Sequence, residues 1–288
     1  VLTRVAVGLL WLLHFLPLRV LAPIGAGLGR LAYLLWPPRR RICLVNLARC
    51  FPELDERARV ALAKRHFAAL GRSVVERGIL FWSSGARIAR VVRFVGREHY
   101  DAAKKPIVLL APHFVGLDAG ATRLSMEAPG VSIYSRQKNA YVNRLLERYR
   151  TRFHPITLLS RQDGIRGAIR EMQRGLPFYY LPDQDYGRRD SVFVPFFGVP
   201  AATITGLARV ARLADASVVP AVTRMLPGAA GYEVRLYPAW EDFPTDDPVA
   251  DARRMNAFIE ERVREMPEQY NWVHKRFKTR PPGEARFY

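Results

Sequence analysis

From residue 5 to residue 36 the chain is almost continuously apolar, broken only by His14, Arg19, Arg30 and two prolines, Pro17 and Pro23. That is too long for an ordinary core helix. A membrane-spanning helix needs about 20 apolar residues, and each arginine near its centre costs about 2.5–3.5 kcal/mol on insertion scales. A tilted or broken helical segment, with both arginines reaching back to the surface, satisfies both constraints. A cleaved signal peptide would also start with Arg4 and an apolar run, but no small-x-small cleavage site is evident and the apolar character runs too far. Arg39, Arg40 and Arg41 follow at once, the cationic flank expected on the cytoplasmic side of an anchor. The expected organisation is an N-terminal membrane anchor over 1–41 and one α/β domain over 42–288. Gly25 and Gly29 form a small-xxx-small pair that would let another helix approach closely, a pattern that chance also produces in Gly-rich apolar stretches.

The charge narrows the partners. Lysine and arginine number 45 against 26 acidic residues, a formal +19 spread along the chain, which points to a phospholipid surface, a phosphorylated substrate or nucleic acid. No RRM, KH or zinc-finger pattern supports nucleic acid. Cys43 and Cys50 stand alone, with no histidine near enough for a zinc or redox motif, so they read as small buried apolar residues in a reducing compartment.

Residues 53–82 read as a long amphipathic helix, with Val60, Phe67, Leu70, Val74 and Ile79 near helical spacing. Beyond it short apolar runs alternate with helical patterns. Strands are expected at 92–95, 107–111, 131–134, 178–181, 217–222 and 233–237, and helices at 117–126, 139–153, 164–174, 204–213 and 248–266. Alternation of this kind makes an α/β fold, a mixed sheet flanked by helices. Asp163 is a good N-cap and Gly175 a good stop for their helix.

The chemistry gathers at the end of the second predicted strand, where Pro112-His113-Phe114-Val115-Gly116-Leu117-Asp118 places a histidine and an aspartate with four residues between. Side chains just past the carboxyl end of a strand line the ligand crevice of open α/β sheets. Five positions apart, the two do not share a helix face. With His113 in the turn and Asp118 in the first helical turn, the carboxylate would reach the far imidazole nitrogen and fix its tautomer. Such a dyad suits removal of a proton from an alcohol attacking a thioester, and no nucleophilic serine is required. There is no GxSxG elbow, no GxxxxGK[ST] loop and no HExxH motif.

This stretch, His113 to Asp118, resembles the acyltransferase motif of the bacterial late acyltransferases of lipid A biosynthesis, within the lysophospholipid acyltransferase-like group. Three further stretches resemble the same family: Leu181-Pro182-Asp183-Gln184-Asp185-Tyr186-Gly187, Val194-Pro195-Phe196-Phe197-Gly198, and the segment from Pro267 through Tyr270-Asn271-Trp272 to Pro281. With the N-terminal segment they cover essentially the whole chain. The resemblance implies a glycerolipid acyltransferase-like fold and transfer of a fatty acyl chain from acyl carrier protein to a 3-hydroxyl of an acyl chain on a glucosamine disaccharide. It also implies a place at the cytoplasmic face of the bacterial inner membrane. The expected partners are acyl carrier protein, an anionic lipid acceptor and the membrane, with no nucleic acid. No cofactor beyond the acyl-ACP co-substrate and no metal is expected. The family often has glutamate at Asp118 and Asn-Trp at Gly116-Leu117, which leaves the acceptor and the chain length open. Lysophospholipid, ornithine-lipid and other glycolipid acyltransferases using acyl-CoA or acyl-ACP share the H-x4-D pattern, and a non-catalytic basic binding module is the reading from another class.

Arg136, after the third predicted strand, and Arg161 and Arg166, flanking the turn into the 164–174 helix, are candidate substrate-binding cations. Guanidinium groups there would bind phosphates or a developing oxyanion, where one donor can be worth about 2.7–4 kcal/mol. Ordinary solvated cations would look the same. Asp183 and Asp185 are candidates to orient an arginine or the acceptor, although Asp-Gln-Asp-Tyr-Gly is also good turn chemistry. Lys275, Arg276, Lys278 and Arg280 beside Trp272 and Phe277 suit a membrane interface, or a helix end where cations offset the dipole.

Overall fold

The protein is described from a computed structural model, which covers residues 2–160 and 165–288. Its N-terminal apolar stretch is two helices, α1 (Leu2–Leu13) and α2 (Leu18–Leu35), separated at Pro17, where the missing N–H and fixed φ favour a helix start over continuation. Helix α2 is long and apolar enough to cross a membrane by length and composition. Val20, Ile24, Leu28, Leu31, Leu34 and Leu35 on α2 are exposed, as are Leu2, Val5, Leu9 and Leu12 on α1.

Next come α3 (Pro37–Cys50) and the long α4 (Glu56–Trp82), which Asp55 caps by accepting from the Ala58 N–H at 2.7 Å. Helix α2 lies directly on α4 through a seam of glycines. A Cβ on Gly25 would fall 2.6 Å from Arg72 Cα, one on Gly29 2.0 Å from the Phe67 oxygen, and one on Gly71 2.2 Å from the Gly25 oxygen. The small-xxx-small pair therefore serves an approach within this chain. Lower on α4, Gly78 admits the Leu10 carbonyl of α1, 2.7 Å from where its Cβ would stand.

The body follows as α5 (Gly85–Val91), β1 (Val92–Val95), α6 (Arg97–Ala102), β2 (Ile107–Leu110), α7 (Leu117–Ser125), β3 (Gly130–Tyr134), α8 (Ala140–Arg150), β4 (Ile156–Ser160), α9 (Arg166–Gln173) and β5 (Phe178–Tyr180). Then come β6 (Ser191–Phe196), β7 (Val199–Ile204), α10 (Gly206–Ala214), β8 (Ser217–Met225), β9 (Tyr232–Leu236) and α11 (Pro248–Glu265). Seven strands form one sheet in the order β1-β9-β8-β2-β5-β3-β4, parallel except where β8 meets β9. Strand β2 sits at its centre with all four residues buried, as expected of a parallel strand covered on both faces. The expected mixed sheet flanked by helices is what forms.

Three strands were not foreseen. β4 reads as helix-to-helix connection in the sequence because Ile156–Ser160 is short and half-buried at the sheet edge. β6 and β7 make a separate antiparallel hairpin whose two-residue loop, Phe197-Gly198, takes positive φ at both positions (51° and 76°). Phe197 accepts that conformation while packing on Phe51 and Trp272. Gly175 ends α9 with φ 91°, as its sequence position implies; the expected cap Asp163 lies outside the described residues.

Beyond α11 the chain has little regular structure, yet it is pinned into the core. Trp272 and Phe277 are fully buried, and Asn46 of α3 donates to the carbonyls of Trp272 (2.7 Å) and His274 (2.8 Å). Arg276 and Arg280, expected at a membrane interface or a helix end, are buried instead. Arg276 donates to the Ala202 carbonyl and the Thr203 hydroxyl, and Arg280 to the Pro200 carbonyl, so they tie the C-terminal segment to β7. Lys275 and Lys278 remain exposed. Both cysteines are free and buried, and burial pushes their thiols up, out of the reactive range.

Candidate active site

Strand β2 delivers His113 to the carboxyl end of the sheet. The turn that holds it is clamped by the C-terminal segment: Asn271 N–H donates to the His113 carbonyl at 3.1 Å, Val115 N–H to the Gln269 carbonyl at 2.8 Å, and Phe114 bridges to Tyr270. Residues 269–271, leaving a 3-10 turn at Pro267–Gln269, thus make a one-bridge ladder that fixes the histidine's backbone.

The imidazole is held by Asp183, not by Asp118. His113 Nδ1–H donates to Asp183 Oδ1 at 2.6 Å, and the His113 backbone N–H donates to Oδ2 at 2.9 Å, so both carboxylate oxygens grip one residue. Asp183 follows β5, which lies beside β2 with Leu110 opposite Tyr180, and this pairing brings the two strand ends together. Burial opposes the charge on Asp183, yet the adjoining His113, with its two hydrogen bonds, and Arg276 hold the carboxyl below its usual range. A carboxylate on Nδ1 fixes the tautomer with a lone pair on Nε2.

Asp118 has another partner. It stands in the first turn of α7, where the helix dipole favours a carboxylate, and pairs with Arg77 of α4 at 2.5 Å. The expected His113–Asp118 hydrogen bond is not among those of the described residues. Both side chains nevertheless line one cavity. Gly116 and Gly120 let α7 settle onto β8; a Cβ on Gly120 would fall 1.9 Å from the Thr223 hydroxyl oxygen.

That cavity, about 320 Å³, runs between α7 and the sheet. His113, Asp118, Tyr134 and Ser135 line it at the carboxyl ends of the strands, and Gly130, Pro177 and Ile156 at the amino ends. Leu109, Leu181, Leu117, Leu124, Leu158 and Leu236 make its wall mostly hydrocarbon. Arg97 and Glu127, ion-paired at 2.7 Å, stand with Tyr100 among its lining residues. Tyr179 also lines it, and the hydroxyl is buried with no hydrogen-bond partner among the described residues. Burial, reinforced by Asp118, keeps that phenol protonated, so its O–H is available to donate.

The remaining candidates separate. Asp185 is buried and spent on structure: it accepts from the Gly187 N–H (2.9 Å), the Thr279 N–H (2.6 Å) and the Thr279 hydroxyl (2.8 Å). Its own N–H donates to His274 Nε2 at 3.3 Å, and burial lowers that imidazole to about 4. The turn-chemistry reading of Asp-Gln-Asp-Tyr-Gly describes Asp185, whereas Asp183 bonds His113 rather than an arginine or the acceptor. Arg136 is exposed between two cavity-lining residues, Ser135 and Gln137. Arg166 is exposed on α9 and does not line the cavity, and Arg161 lies outside the described residues. Sequence reading missed Arg77 and Tyr179. Neither sits in a motif, and only the contact of α4 with α7 and the register of β5 place them. Among the described residues no group of three His, Cys, Asp or Glu side chains is arranged to hold a metal.

Residues 1–279 match the model of the bacterial lipid A biosynthesis acyltransferase family. The chain is 38% identical to the lipid A biosynthesis lauroyltransferase of Escherichia coli, over 98% of this chain and 93% of that one. It is 31% identical to the palmitoleoyltransferase of the same organism (100% and 94% covered) and 32% identical to its myristoyltransferase (92% and 83%). Among solved structures it is similar to the 1-acyl-sn-glycerophosphate acyltransferase of Thermotoga maritima, with 15% identity, a TM-score of 0.37, and 84% of this chain and 97% of that one covered.

Proposed function

Since the chain belongs to the bacterial lipid A biosynthesis acyltransferase family, and is thereby an O-acyltransferase acting on a lipid A acceptor, we propose that His113 is its general base and acyl carrier protein its donor. The observation that carries the first part is the two-point grip of Asp183 on His113, which leaves Nε2 as the only ring nitrogen able to accept a proton. Nε2 takes the proton of the acceptor hydroxyl as its oxygen attacks the thioester carbonyl. The tetrahedral intermediate then collapses, the C–S bond breaks, and the imidazolium returns its proton to the leaving thiolate. Base catalysis of this kind contributes about 10²–10⁴-fold.

In this reading Asp183 orients the ring and stabilises the imidazolium. Asp118, fixed by Arg77, is a second carboxylate lining the same cavity as the base without bonding to its ring. Arg136, exposed between two cavity-lining residues, would meet an acceptor phosphate, and Arg161 and Arg166 are proposed for the same task. The chain's +19 charge suits acyl carrier protein as an acidic partner. The exposed apolar faces of α1 and α2 would hold the body, residues 42–288, at the cytoplasmic face of the inner membrane, with 1–41 as its anchor.

The cavity is the acyl tunnel. Strand β3 lies along it, and its five residues span about 13 Å at the usual strand rise. A zigzag hydrocarbon with C–C bonds near 1.52 Å and angles near 111° advances about 1.25 Å per bond. A chain of roughly 10–12 carbons fits that length, in keeping with the lauroyl specificity in the name of the E. coli relative. Purified protein supplied with acyl carrier protein loaded with 8- to 16-carbon chains and with a hydroxylated lipid A precursor should show turnover that peaks near 12 carbons. His113→Ala should abolish transfer with the fold retained; substantial residual turnover in that variant would overturn the base assignment.

A further inference from the structure

Between α1 and α8 lies a second concavity, and it shares no lining residue with the first. Helix α1 contributes Arg4, Val7, Gly8 and Trp11, and α8 contributes Tyr141, Arg144, Leu145 and Arg148, both at i, i+3, i+4, i+7. Trp82 of α4 completes it. The two helices are tied at one end, where Asn139 Nδ2 donates to Thr3 Oγ1 at 3.4 Å and the Arg4 guanidinium lies 5.9 Å from the Tyr141 ring centroid. Along the floor there is room, since a Cβ on Gly8 would meet nothing within 4 Å. Among the described residues no aspartate or glutamate lines this cleft.

Three guanidinium groups without a lining carboxylate, above a floor of Val7, Gly8 and Leu145 and beside two tryptophans, combine anion recognition with an apolar slot. Tryptophan is at home where hydrocarbon meets head group. The same helix α1 exposes Leu2, Val5, Leu9 and Leu12 on an adjoining face. We infer that this cleft binds the phosphate of an anionic bilayer phospholipid, with its glycerol and upper chain carbons between Trp11 and Trp82. The cleft shares no lining residue with the cavity that holds His113, and its occupant is accordingly assigned as a membrane lipid rather than the reacting acceptor. The inference does not depend on the transfer chemistry.

The test uses the full-length chain on phosphatidylcholine vesicles doped with brominated-chain phosphatidylglycerol or, in parallel, brominated-chain phosphatidylcholine. Brominated phosphatidylglycerol should quench tryptophan emission at lower mole fraction than its zwitterionic counterpart, and Trp82→Phe should remove part of the quenched signal. With each basic residue near an anionic surface worth about a factor of five in partitioning, R144Q/R148Q should cut the preference by about tenfold or more. Arg93→Gln, which alters an exposed arginine of β1, should keep it. Circular dichroism of R144Q/R148Q checks that the fold persists, and Arg144→Gln alone serves if it does not. Equal quenching by the two lipids, or a preference unchanged in the arginine variants, would overturn the inference. So would displacement of the brominated lipid by a bis-phosphorylated disaccharide acceptor, which would make the cleft an acceptor subsite.

Discussion

The two flanks of His113 are built in opposite ways. On one side, Asp183 emerges from the sheet at the end of β5, is buried, and binds the histidine through ring and backbone together. On the other, Asp118 rides on α7, remains partly exposed, and answers to Arg77 of α4. The first carboxylate belongs to the same rigid sheet as its histidine, and the second to a helix resting on that sheet through glycines. A group that sets a tautomer must hold within tenths of an ångström, whereas a group that supplies field can act at longer range and tolerate some motion.

Substitutions can break or sharpen that contrast. The largest effect after loss of His113 itself is expected from Asp183→Asn, which keeps the shape but presents an amide to Nδ1; kcat should fall about 10²–10⁴-fold, as for a wrong-tautomer imidazole. Steady-state kinetics on the folded variant decide the matter. Asp118→Asn should cost less, about 10–10²-fold in kcat, because field is lost but the ring stays aligned. A deeper loss from Asp118→Asn than from Asp183→Asn would reverse the two roles. Third is Gly120→Val, whose added carbons meet Thr223 and must push α7 outward. It should depress activity through Asp118 and Arg77 while the His113–Asp183 pair stays intact, a distinction visible in the imidazole proton resonances.

Smallest at neutral pH is an acid sensitivity confined to the Asp183 side. His66 is fully buried, its ring nitrogen Nδ1 bonds to the Glu268 carbonyl at 2.9 Å beside the clamp on His113, and burial lowers it to about 4. Its unfolded value is near 6.5, so between the two the unfolded chain binds more protons and stability rises with pH. The contribution is complete above about 6.5 and lost as pH falls towards about 4, on the order of 3 kcal/mol by the lower end. Thermal melts between pH 7 and 4.5 should show that slope, and His66→Leu should flatten it; an unchanged slope would remove His66 from the account. His274, lowered by burial in the same direction, supports the Asp185 loop and adds to the trend.

Much of this architecture could be read from residues alone. Strand β1 lies at its predicted 92–95, and β2, β3, β5 and β9 lie within a residue or two, because apolar runs between turns are local signals. The hairpin β6–β7 was opaque because its strands carry prolines at Pro195 and Pro200 and a two-residue turn led by phenylalanine. At the site, local spacing identified His113 and brought Asp118 into its cavity. It put Asp118 on the imidazole, where Asp183 in fact bonds. That bond is set by β5 lying next to β2, a neighbour 70 positions away in the chain, and no short-range pattern encodes a sheet order. Arg77 was hidden for the same reason.

Helix α4 turns Arg77 to Asp118 and, one residue on, receives α1 at Gly78, while nearer its start Gly71 receives α2. The greasy hairpin and the reaction centre are therefore mounted on one rod, without a spacer. With α1 and α2 seated in a lipid leaflet, as proposed, the same rod would set the height of the cavity mouth above it.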